Sequence, residues 1–380
     1  MTKALPTKDR ITEIATEQGR KSYAISAELK LKKPTISIIS IDLGTLFTKN
    51  GYLSSAEIAY VEKTENFLSE VSGSRRNSTK KGSFASRNRK AAKSDLTITY
   101  QGRSYSLGKS GAITGGTTNL ESDKTDNVVL RIIFALTLYE IGKKDEWKEG
   151  EEGEEIHLTV AIDFANKRNF DKKEKIIRDA VGAGLTWGTS EGIYKVKPKT
   201  LKVDPEDYHA ELFSRLVSVD AINFEDEDRA TIGIGFRTLN LGIITSDGYF
   251  DDERSRSFDG KGTSLFYEWV ASEIDLENWN TPEFINGVNN GSFRPQGEEE
   301  EIDLTDAIAL ASGWYLEEIM GLIKKHTPSE IERFVICGGG AIKFGLLLKK
   351  RLWGESAVCP KPDVANSLGQ LVEMALEVSQ

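Results

Sequence analysis

Three apolar runs in this chain each end in glycine, which commits the chain to buried strands that turn sharply at their C-terminal ends. The first is Ile38-Ile39-Ser40-Ile41-Asp42-Leu43-Gly44-Thr45 and the second Thr231-Ile232-Gly233-Ile234-Gly235-Phe236-Arg237-Thr238. The third is Arg333-Phe334-Val335-Ile336-Cys337-Gly338-Gly339-Gly340-Ala341, which leads into an apolar helical pattern over residues 342–351. Runs that are apolar at nearly every position suit central strands of a sheet covered on both faces. A glycine turn after such a strand lets bare backbone N–H groups approach a phosphate with no side chain intervening. Strands of α/β proteins also end in glycine for structural reasons alone, so the information lies in the recurrence and order of the three turns.

Composition agrees with an α/β protein of two domains. The 380 residues are enough for two sizeable cores, and 34 glycines with 9 prolines fit a turn-rich chain. Cys337 and Cys359 are the two cysteines, neither at zinc spacing, and a reduced cytoplasmic setting is the simplest account. No run of about 18 apolar residues occurs and the first residues lack an apolar signal core, which disfavours membrane spanning and export. His157, His209 and His326 are scattered along the sequence, giving no basis for a histidine metal site or a histidine triad. Gly260-Lys261-Gly262-Thr263 has the wrong order for a P-loop. A net charge of −9 disfavours indiscriminate DNA binding.

In order and spacing the three turns resemble the phosphate-one, phosphate-two and adenosine motifs of the actin-like ATPase superfamily. Asp42-x-Gly44-Thr45-x-x-x-Lys49 resembles phosphate-one, Gly235-Phe236-Arg237-Thr238-Leu239-Asn240-Leu241 phosphate-two, and Gly338-Gly339-Gly340-Ala341 the adenosine motif. Asp126-Asn127-Val128-Val129-Leu130-Arg131-Ile132-Ile133-Phe134-Ala135-Leu136 is similar to the helix preceding domain II in the ParM/StbA-like plasmid-segregation branch. Asp363-Val364-Ala365-Asn366-Ser367-Leu368-Gly369 is similar to that branch's C-terminal Ala-Asn-x-x-Gly turn. The likeness spans residues 35–380. It implies an actin-like ATPase fold, two ribonuclease-H-like domains around a nucleotide cleft. It also implies ATP or GTP as ligand, with Mg2+ held through Asp42, and Gly44, Thr45, Lys49, Gly233, Gly235, Thr238, Gly338, Gly339, Gly340 and Ala341 against the nucleotide.

The chain departs from that pattern where chemistry is concerned. The phosphate-two aspartates are replaced by Gly233 and, nearby, Asn240. In the strand His157-Leu158-Thr159-Val160-Ala161-Ile162-Asp163-Phe164, Asp163 stands where relatives carry proline, and Asn166 roughly where they carry the water-positioning glutamate. An amide at Asn166 orients water by hydrogen bonding without serving as a strong base. Phosphoryl transfer depends mainly on positioning and electrostatics, so slow hydrolysis is compatible with Asp163 and Asn166 as the catalytic pair. The other reading of Asp163 is a surface or capping carboxylate.

Domain I is expected over 34–155 with 346–380, and domain II over 156–345. Residues 1–33 read as a flexible extension, with a short helix over 9–17. They carry eight Lys or Arg against four Asp or Glu. Residues 71–93 contain Arg75, Arg76, Lys80, Lys81, Arg87, Arg89, Lys90 and Lys93 with no acid, a mobile basic loop that attracts phosphates or acidic surfaces. Acidic runs at 145–155 and 298–301 are its counterparts, and opposite patches suit head-to-tail association. Strands are expected at 36–41, 96–100, 156–162, 230–234, 239–245 and 333–337, and helices at 130–139, 172–181, 205–216, 265–274, 304–325 and 342–352.

The resemblance implies a nucleotide-gated subunit of head-to-tail filaments of two or more strands. These filaments would segregate or position plasmid DNA through a small DNA-binding adaptor, with DNA met indirectly and a membrane only through an adaptor. A cytoskeletal filament acting in cell shape and a monomeric sugar or acid kinase on the same fold are the alternatives; no sugar-kinase motif is present.

Overall fold

The computed structural model describes residues 11–17, 20–25, 36–44, 47–53, 58–65, 67–70, 96–107, 117–118, 127–146, 155–164, 167–190, 192–217, 227–277, 279–295, 297–298 and 300–378. The chain divides into two compact units, Met1–Val219 with Val364–Gln380, and Asp220–Asp363.

The first unit is built on a seven-stranded sheet in the order Ile11–Glu17, Arg20–Ile25, Ile58–Glu65, Phe47–Leu53, Ile36–Leu43, Glu155–Ile162, Thr200–Pro205. The first five strands pair antiparallel and the last three parallel. Ile36–Leu43 is buried at every position, as an apolar run between two neighbours must be. Its alternate residues Ile39, Ile41 and Leu43 share a core with Ile132, Ile133 and Leu136 of the helix Val128–Glu146. On the other set, Ser40 donates to the carbonyl of Ser367 in the helix Ala365–Val378. Helices therefore cover both faces of the strand that carries Asp42. A second, six-stranded sheet runs Gly192–Val196, Leu185–Thr189, Leu96–Tyr100, Arg103–Leu107, Phe67–Glu70, Thr117–Thr118. Lys167–Gly182 and Tyr208–Val217 complete the helices described in this unit.

The second unit has a five-stranded sheet in the order Phe250–Asp259, Thr238–Ile244, Arg229–Ile234, Arg333–Cys337, Glu355–Val358, antiparallel through the first three and parallel through the last three. Its core gathers Ile232, Leu239 and Ile336 with Phe266, Phe284, Tyr315 and Phe344 from the helices Thr263–Ser272, Pro282–Asn290, Thr305–His326 and Ala341–Lys349.

Three expectations change. Residues 11–17 form a strand, not a helix, and with Arg20–Ile25 they extend the seven-stranded sheet. The acidic run after 145 does not separate the units. Glu155–Ile162 belongs to the first unit because its apolar run hydrogen-bonds between Ile36–Leu43 and Thr200–Pro205, so the divisions fall at 219/220 and 363/364. Residues 365–369 begin a helix where a turn was expected. The basic segment 71–93 lies outside the described residues.

Candidate functional site

In the first unit, the C-terminal ends of three neighbouring parallel strands bring charged residues together. Asp42 pairs in register with Ala161 and Ile162 with Pro205, so Asp42, Asp163, Glu206 and Asp207 occur at adjacent strand ends, where open α/β sheets bind ligands. Asp42 is 2% exposed, and the Lys49 ammonium, on the antiparallel neighbour, donates to its Oδ2 at 2.7 Å. Burial alone lowers the Lys49 pKa, but the charge and hydrogen bond of Asp42, with Asp207 and Glu206 beyond, outweigh it and hold the group above its ordinary value. Lys49 is thus a half-buried ammonium held in its charged form beside Asp42, suited to a phosphate.

Arg131, from Val128–Glu146, fastens the turn. Its guanidinium donates to the Gly44 carbonyl at 2.6 Å and to Thr48 Oγ1 at 3.0 and 3.2 Å. Burial lowers its pKa to about 10, against the fields of Glu206, Asp42 and Asp163. A side chain on Gly44 would place its Cβ 2.7 Å from the Phe47 carbonyl oxygen, so the tight turn itself requires glycine there. The Lys173 ammonium donates to both oxygens of Asp163 at 2.8 and 3.0 Å, which makes Asp163 an ion-paired carboxylate at the strand end. Thr45 and Asn166 lie outside the described residues.

In the second unit, the other two glycine turns stand at the ends of the adjacent parallel strands Arg229–Ile234 and Arg333–Cys337 and lock together. The Gly340 N–H donates to the Ile234 carbonyl at 2.8 Å. Gly338 has φ +85°, and a Cβ there would meet the Ile234 backbone oxygen at 2.6 Å; one on Gly340 would meet Ile234 Cγ2 at 2.3 Å. Gly339 differs from both, since it is exposed and its Cβ would meet no protein atom within 4 Å. Protein packing therefore explains Gly338 and Gly340, whereas no neighbouring protein atom requires glycine at 339. Ala341 is buried and begins the helix Ala341–Lys349. The Gly235 N–H donates to the Thr238 carbonyl at 2.9 Å, closing the hairpin turn. Thr263 and Ser264, at the start of the helix Thr263–Ser272, donate to the carbonyls of Gly235 and Phe236. Gly233 is an interior strand residue opposite Asn240 and Cys337, and Asn240 accepts from the Ser257 hydroxyl at 2.7 Å.

Arg131, Glu206 and Asp207 were not singled out from the sequence. In the sequence Arg131 is one residue of an apolar helical run, and a lone basic residue there carries no indication of its partner. The sequence pattern places Glu206 and Asp207 in the first turn of a helix beginning at Pro205. The helix instead starts at Tyr208, after a left-handed Asp207 with φ 68°. A strand ending in Pro205-Glu206-Asp207, with acids at the strand terminus, was the available signal.

No protein-family model matches the sequence, and no curated protein matches it. Solved structures do. The chain is similar to a subunit of a 15-stranded ParM filament from Clostridium botulinum, at 16% identity and TM-score 0.66 over 90% of this chain and 99% of that one. It is similar to the actin-like protein Alp7A at 15% identity and TM-score 0.67, over 90% and 97%. A third neighbour is an archaeal actin homologue in complex with ADP, at 15% identity and TM-score 0.61, over 90% and 99%. The chain has the actin-like ATPase fold. The form it takes is that of the ParM-type and related actin homologues. Among the described residues no helix is long and apolar enough to cross a membrane.

Proposed function

We propose that this chain is a nucleotide-gated, self-assembling actin-like protein that binds ATP or GTP with Mg2+ and forms filaments. The observation that carries the reading is the triple-glycine turn, in which Gly338 and Gly340 are fixed by packing while Gly339 alone presents bare backbone outward. Lys49 and the Arg131-anchored turn at Gly44 supply the charge and the rigid backbone that a polyphosphate needs. Asp42 is the magnesium-side carboxylate, and Glu206 and Asp207 add oxygen donors at the neighbouring strand end. The metal neutralises charge on the phosphates when bound. Glu206, with Asp163 held by Lys173, would supply the carboxylates at the strand ends that orient a water for attack. With glycine at 233 and an amide at 240, the second unit offers no carboxylate at those positions, and hydrolysis is slow. Neighbours solved as a filament and with ADP support polymer formation and nucleotide binding for this fold. Segregation of DNA through a small DNA-binding adaptor is the role we assign.

Gly339→Val tests the reading directly. Because the Cβ meets open space, the variant keeps its unfolding temperature, and calorimetric titration with Mg-ATP shows affinity reduced at least tenfold, about 1.4 kcal/mol. A folded variant with unchanged affinity assigns the turn to structure alone.

A further inference from the structure

The histidines are scattered in sequence, yet the fold brings His209 to two carboxylates from other elements. Asp204 lies in the strand Thr200–Pro205, His209 in the first turn of Tyr208–Val217, and Glu373 in the helix Ala365–Val378. His209 Nε2 is 2.8 Å from Glu373 Oε2 and 3.7 Å from Asp204 Oδ2, and one donor atom from each residue falls within 4.8 Å of the other two. The imidazole is 0% exposed, and the carboxylate side chains, at 24% and 25%, reach in from the rim. We propose that Asp204, His209 and Glu373 form a binding site for a divalent transition ion of the zinc class, separate from the nucleotide site.

Geometry, charge and packing each support it. Zinc-to-ligand distances of about 2.0–2.2 Å put tetrahedral ligands about 3.4 Å apart, within the range these atoms span. A plain hydrogen-bonded histidine satisfies Glu373 but leaves the buried Asp204 Oδ2 with no protein donor, a costly state for a carboxylate oxygen. That oxygen faces the imidazole, so a cation held by all three groups uses its lone pair. Lys202 hydrogen-bonds Glu377 and stands 3.5 Å from Glu373. Three carboxylates against one ammonium leave an acidic excess around the ring, which a divalent ion offsets. An imidazole ligand distinguishes the site from the all-oxygen shells preferred by Mg2+ and Ca2+, and with no thiolate in the set it does not suit soft monovalent copper. The packing is specific as well. A Cβ on Gly369 would lie 2.0 Å from the His209 carbonyl oxygen, so glycine lets the C-terminal helix close onto His209. Glu373 is four residues further along the same helix face, which carries its carboxylate to the ring. A bound ion would tie the C-terminal helix to two other elements of the first unit.

The test uses the full chain stripped with a chelator. It is titrated with Zn2+ by calorimetry and with Co2+ by visible absorption, without nucleotide. One ion per chain, a Co2+ spectrum of nitrogen–oxygen ligation and a raised unfolding temperature are expected. His209→Gln and Glu373→Gln should each weaken binding at least tenfold. Glu373 is partly exposed, so its variant remains folded by circular dichroism even if the His209 variant does not. Failure of the wild-type chain to bind Zn2+, or a loss smaller than tenfold in folded Glu373→Gln, overturns the proposal.

Discussion

His157 is 4% exposed in Glu155–Ile162, with neither ring nitrogen hydrogen-bonded and the nearest Glu155 oxygen 3.9 Å away. Burial, followed by the charge of Lys199, pulls its pKa below 6.5, against a smaller upward pull from Glu155. The folded state therefore holds the ring neutral while the unfolded chain takes up a proton near its ordinary value. Stability is complete above about pH 6.5 and declines as the pH falls below it. In His157→Leu, the loss of unfolding free energy between pH 7 and pH 5 should shrink by on the order of 1 kcal/mol, followed by urea unfolding at both values. An unchanged loss in the variant refutes the assignment. At this scale the sequence made the glycines conspicuous but not their division of labour. Three adjacent glycines look alike until Ile234 shows which two are packed, its backbone against Gly338 and its side chain against Gly340, and which one faces outward.

Among elements, the approach of Ala365–Val378 to Tyr208–Val217 depends on a missing methyl group. Gly369→Ala should force the two helices apart at the His209 carbonyl and cost about 1–3 kcal/mol, read as a lower urea midpoint with unchanged slope. Full retention of stability contradicts the tight crossing. The strands 96–100 and 333–337 were legible to the residue because apolar or alternating runs bounded by turns have one reading. Phe47–Leu53 and Phe250–Asp259 were not legible. The first is interrupted by Lys49, Asn50 and Gly51, whose places are set by the Asp42 pair and by close packing at Gly51. The second holds Asp251, Asp252 and Glu253, and Arg254 stabilises it through Asp228 and Asp251 at 2.6 Å each. The division of the chain into units was misplaced for the same reason. Whether Glu155–Ile162 belongs to the preceding or the following unit depends on its pairing with Ile36–Leu43, a contact between distant segments that local periodicity does not encode.

The whole molecule combines an actin-like fold, charged strand ends in one unit and interlocked glycine turns in the other. Under the proposed function, a nucleoside triphosphate switches this chain between subunit and polymer. A ligand changes that balance only if it favours the assembled state, so the comparison between nucleotide states carries the information. The most direct measurement is sedimentation with negative-stain imaging of the purified chain in Mg-ATP, a non-hydrolysable analogue, Mg-ADP and no nucleotide, with Gly339→Val run alongside. Filaments are expected with ATP and the analogue, little or none with ADP or without nucleotide, and none in the variant. Equal sedimentation in all four conditions, or filaments of Gly339→Val indistinguishable from those of the wild-type chain, contradicts this switch.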